Sequence, residues 1–154
     1  MFSVEADDIN RLIKVSWSEN VSTDEMRECA EQLRALTADM RPGFRVLNDL
    51  TGLESTDSTV ASYIAAMMDL LAARQVGLIV RVIPDPHKDI GLSILSYFHY
   101  GSQVQIVTYQ NLRVAKPLRL NGSVAALELT RSLAIACAKL DRHRAEQTKN
   151  VAME

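Results

Sequence analysis

The chain has 154 residues and a formal net charge of -2, with 47% hydrophobic and 23% charged residues. That is length enough for one domain with a sizeable core, at the composition of an ordinary globular protein. It offers no basic field for nucleic acid, no run of apolar residues long enough to span a membrane, and an acidic start, MFSVEADD, without the basic and apolar regions of a signal peptide.

A cytoplasmic location is the expectation. The cysteines, Cys29 and Cys137, fall in helix-like patterns with no CxxC pairing. They read as reduced core thiols rather than metal or redox groups.

In chain order, residues 2–6 read as a weak edge strand. Residues 11–17 (RLIKVSW) alternate through Ile13, Val15 and Trp17 as a better strand, and Asp7–Asp8–Ile9–Asn10 supplies turn chemistry between the two. A first helix follows. Ser22 and Glu25 have the spacing of a capping box, and Met26, Cys29, Ala30, Leu33, Leu36 and Met40 recur at helical intervals to form one buried face. Pro42–Gly43 ends it.

Residues 44–50 (FRVLNDL) read as a central strand, and 51–59 (TGLESTDST) as a loop rich in helix-capping residues. The second helix carries Val60, Tyr63, Ile64, Met67, Leu70 and Leu71. Residues 78–83 (LIVRVI) are a second buried strand, broken by PDPHKD. A third helix over 90–100 is expected to turn Ile90, Ile94, Leu95 and Phe98 inward, and 104–109 (VQIVTY) closes the series as a strand. Pro117 limits any helix in 111–120, which stays unassigned. Residues 124–140 carry a last helical pattern through Leu129, Leu133, Ala136, Cys137 and Leu140.

The order β-β-α-β-α-β-α-β-α implies an α/β fold with a mixed sheet of about five strands: a parallel core with right-handed crossovers and an antiparallel edge at the start. The expected organisation is a core over 1–120, a C-terminal helix of the same domain over 121–146, and a frayed tail over 147–154. The apolar stripe of that last helix is wide enough either to cover its own sheet or to meet a second copy in a homodimer.

This order resembles the STAS family (sulfate transporter and anti-sigma-factor antagonist), in its SpoIIAA-like branch. The strand at 46–50 leads through Gly52–Leu53 to Thr56–Asp57–Ser58–Thr59, where the family carries an Asp-Ser pair before its second helix. The likeness runs over roughly residues 2–120. Val60 stands where the family has a glycine, and the last helix is longer than the basic domain requires. The resemblance implies a non-enzymatic regulatory or protein-binding module of the anti-sigma-factor-antagonist kind. Its partner would be an anti-sigma or kinase-like protein, and its switch phosphorylation of Ser58 beside Asp57. By position alone, Asp57 and Ser58 are helix caps. The contact surface would be residues 54–60 and the face of the second helix.

The competing reading is a small-molecule-binding domain or minor enzyme. Its pocket would lie at the carboxyl ends of the parallel strands, among Asp49, Asp85, His87 and Tyr109. Asp49 at a strand end has the position of a receiver aspartate, but the acidic pair that a receiver needs after its first strand is replaced by Ser18–Glu19–Asn20. Asp85, His87 and Asp89 fit no strong metal pattern. His99 reads as a core or boundary histidine. No nucleophile elbow, P-loop or dinucleotide fingerprint occurs, so no catalytic residue and no cofactor is assigned.

Overall fold

The computed structural model describes residues 1–111 and 117–119, together with Lys149 and Met153, and gives the backbone alone for Ser58 and for 117–119. The elements are β1 (Phe2–Asp7), β2 (Leu12–Val21), α1 (Thr23–Thr37), β3 (Arg45–Thr56), a 3-10 turn (Ser58–Val60), α2 (Ala61–Ala73), β4 (Leu78–Val82), α3 (Pro86–Tyr100), β5 (Gln105–Tyr109) and β6 (Pro117–Arg119). All lie in one compact unit, Met1–Asn121; a second unit spans Gly122–Glu154. The expected C-terminal helix over 121–146 lies outside the described residues, as does the tail over 147–154 apart from Lys149 and Met153.

The strands form one mixed sheet in sequence order, β1 to β6. β2, β3, β4 and β5 are parallel, and β1 and β6 flank them antiparallel. The three apolar runs expected at its centre are neighbours there. Pro117 opens β6, a short edge strand, where a residue without an N–H is tolerated. Each parallel strand is added on the same side of the one before. Right-handed crossovers then carry α1, α2 and α3 to one face of the sheet, with α2 packed against both of its neighbours.

Local chemistry sets the elements. Asp7 accepts from the backbone N–H of Asn10 at 3.0 Å and from its side-chain amide at 2.6 Å, closing the β1–β2 hairpin. Those bonds hold the Asp7 carboxyl below its ordinary pKa. The capping box of α1 is formed: Ser22 Oγ accepts from Glu25 N at 3.3 Å, and Glu25 Oε2 accepts from Ser22 N at 3.0 Å. Met26, Cys29 and Leu33 are buried as expected, but Leu36 is not. Thr37 takes the inward place instead, because its hydroxyl is satisfied within the helix by donating to Leu33 O at 2.7 Å.

β3 runs on to Thr56, through most of the segment expected to be loop. The reason is β2, which is also long and keeps pairing with it as far as Val21–Thr56, across two register shifts. Gly52 permits this. A Cβ there would stand 3.1 Å from both Ser18 Cβ and the Trp17 carbonyl oxygen, tighter than a side chain tolerates without the neighbouring backbone moving.

The register defines two faces. Ile13, Val46, Ile79 and Ile106 form one row across the sheet, and Val15, Asn48, Arg81 and Thr108 the next row on the same face. Ile13, Val15, Val46 and Ile79 pack there with Met26, Cys29, Leu33, Met67 and Leu71 of the helices. The opposite face carries the row Ser16, Asp49, Val82 and Tyr109.

Cys29 is fully buried in the helix-side core. Burial pushes its thiol pKa up to about 12, with nearby Glu28 adding to the effect. The thiolate is the reactive form, so Cys29 is expected to resist iodoacetamide at pH 8 in the folded protein and to react once urea unfolds it. Peptide mapping by mass spectrometry reads this out; rapid alkylation of folded protein at Cys29 contradicts the packing described.

Candidate functional site

β4 consists of five buried residues, and the fourth of them is an arginine. Arg81 is only 5% exposed. A guanidinium does not lose its charge at such a site, so it must find a partner. The partner comes from α3. Asp89 Oδ1 lies 3.5 Å from Arg81 Nη1, and Ser96 Oγ lies 3.3 Å from the same nitrogen. Ser96 in turn donates to Leu92 O at 2.7 Å. Burial lowers the Arg81 pKa, and the Asp89 charge opposes that change. Tyr100, on the same side of α3, has its phenol pushed up by burial, with Arg81 pulling the other way.

This pairing corrects the expected face of α3. Asp89 and Ser96 are its buried residues, while Ile90 and Ile94 are more than half exposed and Tyr97 and Phe98 are 79% and 75% exposed. Leu95 is half-buried. Helical period alone favours the apolar residues; the buried arginine requires the polar ones. The outer side of α3 is left as an apolar patch, with the rings of Tyr97 and Phe98 edge to face at 5.6 Å. No large hydrophobic side chain of α2 is exposed.

Between the three helices and the sheet lies a cavity of about 480 Å³, at the carboxyl ends of β3 and β4. Its walls are mostly apolar, with Val15, Trp17, Val46 and Ile79 from the sheet and Leu33, Ile64, Met67, Leu71 and Leu92 from the helices. The polar residues that line it are Asn48, Arg81, Ser96 and Tyr100, with Thr51, Glu54, Ser55 and Thr56 from the end of β3 and Asp85 and Lys88 at the start of α3. Trp17 Nε1 donates to Asn48 Oδ1 at 2.8 Å, which fixes both side chains. Lys88 Nζ donates to the carbonyls of Leu53 at 3.3 Å and Glu54 at 3.2 Å, bridging the start of α3 to the end of β3.

The four residues expected to form a pocket are not brought together. Asp85 lines the cavity and caps α3, accepting from His87 N at 3.0 Å. His87 is exposed in the first turn of α3. Asp49 stands on the opposite face of β3, where its Oδ1 accepts from Thr51 N at 3.0 Å and Thr51 Oγ1 at 2.6 Å. Tyr109 pairs with Val82 on that same opposite face and is buried there. Asp57 is exposed and caps the 3-10 turn, with its Oδ1 3.4 Å from Thr59 N. Ser58 is the first residue of that turn, which leads straight into α2. His99 Nδ1 lies 2.7 Å from Asp69 Oδ1, tying α3 to α2 as a boundary histidine does.

The polar residues that do converge, Asn48, Arg81, Asp89 and Ser96, carried one legible signal. A charge at the centre of LIVRVI, a strand buried on both faces, demands an acidic or hydroxyl partner from the next helix. Asp89 and Ser96 sit seven residues apart, on one helical face, and supply an ion pair and a hydrogen bond to Nη1, while Arg81 Nε and Asp89 Oδ1 have no hydrogen-bond partner among the described residues.

Two solved structures resemble the fold of this chain. The unphosphorylated anti-sigma factor antagonist SpoIIAA superposes with a TM-score of 0.51 at 9% identity, over 69% of this chain and 86% of that one. An uncharacterised DUF3478-family protein from Shewanella loihica, described as having a SpoIIAA-like fold, gives 0.55 at 10% identity, over 73% and 87%.

The chain has a SpoIIAA-like fold. At such low identity the likeness concerns the fold alone. No family model matches the sequence, and no curated protein matches it. Among the described residues of this SpoIIAA-like chain, no helix is long and apolar enough to cross a membrane, and no group of three or more His, Cys, Asp or Glu is placed to hold a metal.

Proposed function

We propose that this chain is a non-enzymatic STAS-like binding module whose ligand is a small, mostly apolar molecule held between α2, α3 and the sheet. The observation that carries this reading is the cavity of about 480 Å³ with apolar walls and a few convergent polar groups. Its size falls within the usual range of ligand pockets, about 300–1,000 Å³, and its position matches the place where open α/β sheets bind ligands.

Trp17, the one tryptophan of the chain, lines the cavity and serves as a built-in reporter. The test is a titration with N-phenyl-1-naphthylamine, an uncharged apolar fluorophore that accepts energy from tryptophan. Saturable one-to-one quenching of Trp17 is expected, with a dissociation constant in the micromolar range. The cavity-filling double variant Ile64→Phe/Leu53→Phe should weaken binding at least tenfold. Equal binding to the filled variant, or quenching that never saturates, contradicts a pocket site.

A second reading is favoured by the apolar outer face of α3, and by the fold shared with a protein described as an anti-sigma factor antagonist. In it the module docks an anti-sigma or kinase-like protein, and phosphorylation of Ser58 regulates the docking. A phosphate there adds about -1.5 to -2 of charge at the start of α2, where backbone N–H groups tolerate an anion. Its test is incubation with the kinase-like proteins of the same genome, followed by mass mapping and partner pull-down. Phosphate on Ser58 and loss of capture by Tyr97→Ser/Phe98→Ser are expected. Phosphate elsewhere, or capture unaffected by that variant, counts against it.

A further inference from the structure

The outer side of α3 carries one continuous apolar stripe. Ile90, Ile94, Tyr97 and Phe98 fall at i, i+4, i+7 and i+8, on one side of the helix. They are 54%, 55%, 79% and 75% exposed. A helix face that meets only water carries charged and polar residues. Here no Asp, Glu, Lys or Arg occurs from Ile90 to Asn111, and Asp89 is buried beside Arg81. Contiguous apolar surface, rich in aromatic rings and free of charge, has the composition of an interface core.

We infer that a second copy of this chain covers the stripe, the two chains pairing about a two-fold axis that passes near Ile94. The pairing does not involve the cavity, because none of these four side chains lines it.

Charge, shape and area point to a second copy. At a two-fold axis each residue meets its own counterpart, so any charge placed there repels itself. An uncharged stripe avoids that cost. Docking of an unlike protein is ordinarily steered by complementary charge, and this stripe offers none. The Tyr97 and Phe98 rings, edge to face at 5.6 Å, border a shallow groove of about 390 Å³ that Ile90, Ser93 and Ile94 also line. Projecting rings and groove lie on the same face, as a self-complementary contact requires. Covering an aromatic side chain removes about 150–250 Å², so at these exposures the four side chains offer roughly 500 Å² per copy. A pair then buries roughly 1,000 Å², the lower limit of a specific interface. That size fits a dimer that forms and opens with concentration. A pair closed on this face has to open before any other protein reaches it.

Sedimentation velocity of the full chain, from about 1 to 100 μM, tests the pairing. A monomer–dimer equilibrium is expected within that range. Tyr97→Ser/Phe98→Ser should weaken the dimer at least tenfold and leave the far-UV circular dichroism unchanged, since both rings are exposed. Ile94→Asp and Ile94→Lys should each be monomeric, because each sets a charge against its own copy. An equimolar mixture of the two should pair again, a recovery that a damaged fold would not show.

A wild-type chain that stays monomeric throughout the range overturns the pairing. So does a dimer that the Tyr97/Phe98 or Ile94 variants leave intact, or a mixture of the two Ile94 variants that remains monomeric. A monomeric chain that captures an anti-sigma or kinase-like protein through Tyr97 and Phe98 gives the stripe to that partner and equally overturns it. Fluorophore binding at Trp17 is measured separately, so the pocket reading stands or falls on its own result.

Discussion

One buried guanidinium organises the helix side of this sheet. Arg81 sits in the middle of an otherwise apolar strand, with neighbours that are buried on both faces. Its charge cannot be left alone in a core, because the cost of an uncompensated buried ion exceeds what one strand's packing can recover. The chain meets the constraint with α3. Asp89 and Ser96, seven residues apart and so on one side of the helix, are both turned toward Arg81. That choice rotates the rest of α3. Ile90, Ile94, Tyr97 and Phe98 go outward, and Leu92 and Tyr100 face the cavity. A buried ion pair is weak evidence for stability; what this one accompanies is the orientation of one helix, with Asp89 and Ser96 buried and the apolar residues of α3 outside.

That orientation links the two candidate surfaces. α3 is a shared wall: its polar side closes the cavity, and its apolar side forms the exposed patch. The end of β3 joins it through the Lys88 bonds to the Leu53 and Glu54 carbonyls, only a few residues before the 3-10 turn that begins at Ser58. A molecule in that cavity would touch the same helix that a partner would meet from outside. In this account the SpoIIAA-like frame supplies the sheet and crossovers, and this chain's own side chains supply the pocket.

Much of the frame was legible in the sequence. Apolar runs around Val46, Val80 and Val107 marked the parallel strands, and the Ser22–Glu25 spacing marked the start of α1, because both signals are local. What failed was non-local. The extension of β3 to Thr56 depends on a long partner strand and on Gly52 admitting a close approach, neither visible in the polar run TGLEST. The face of α3 was misread because periodicity counts apolar residues and ignores the needs of a charge on another element. The pocket set was misread by one register step: Asn48 and Arg81 face the cavity, whereas Asp49, Val82 and Tyr109 face the other side of the sheet, and composition cannot tell adjacent residues of a doubly buried strand apart. Asp85 lines the cavity because a residue just past a strand's carboxyl end is near it whichever way the strand faces.

The organising role given to the buried pair is tested most directly by a double-mutant cycle on Arg81→Met and Asp89→Leu, with unfolding free energies from urea titration. Each single variant leaves one charge buried without its partner and is expected to cost about 3–5 kcal/mol. The double variant should cost markedly less than the sum of the two, with a coupling of at least about 1 kcal/mol. Single losses that add within about 0.5 kcal/mol would show that Arg81 and Asp89 do not depend on each other, and the account of how α3 is oriented would be wrong.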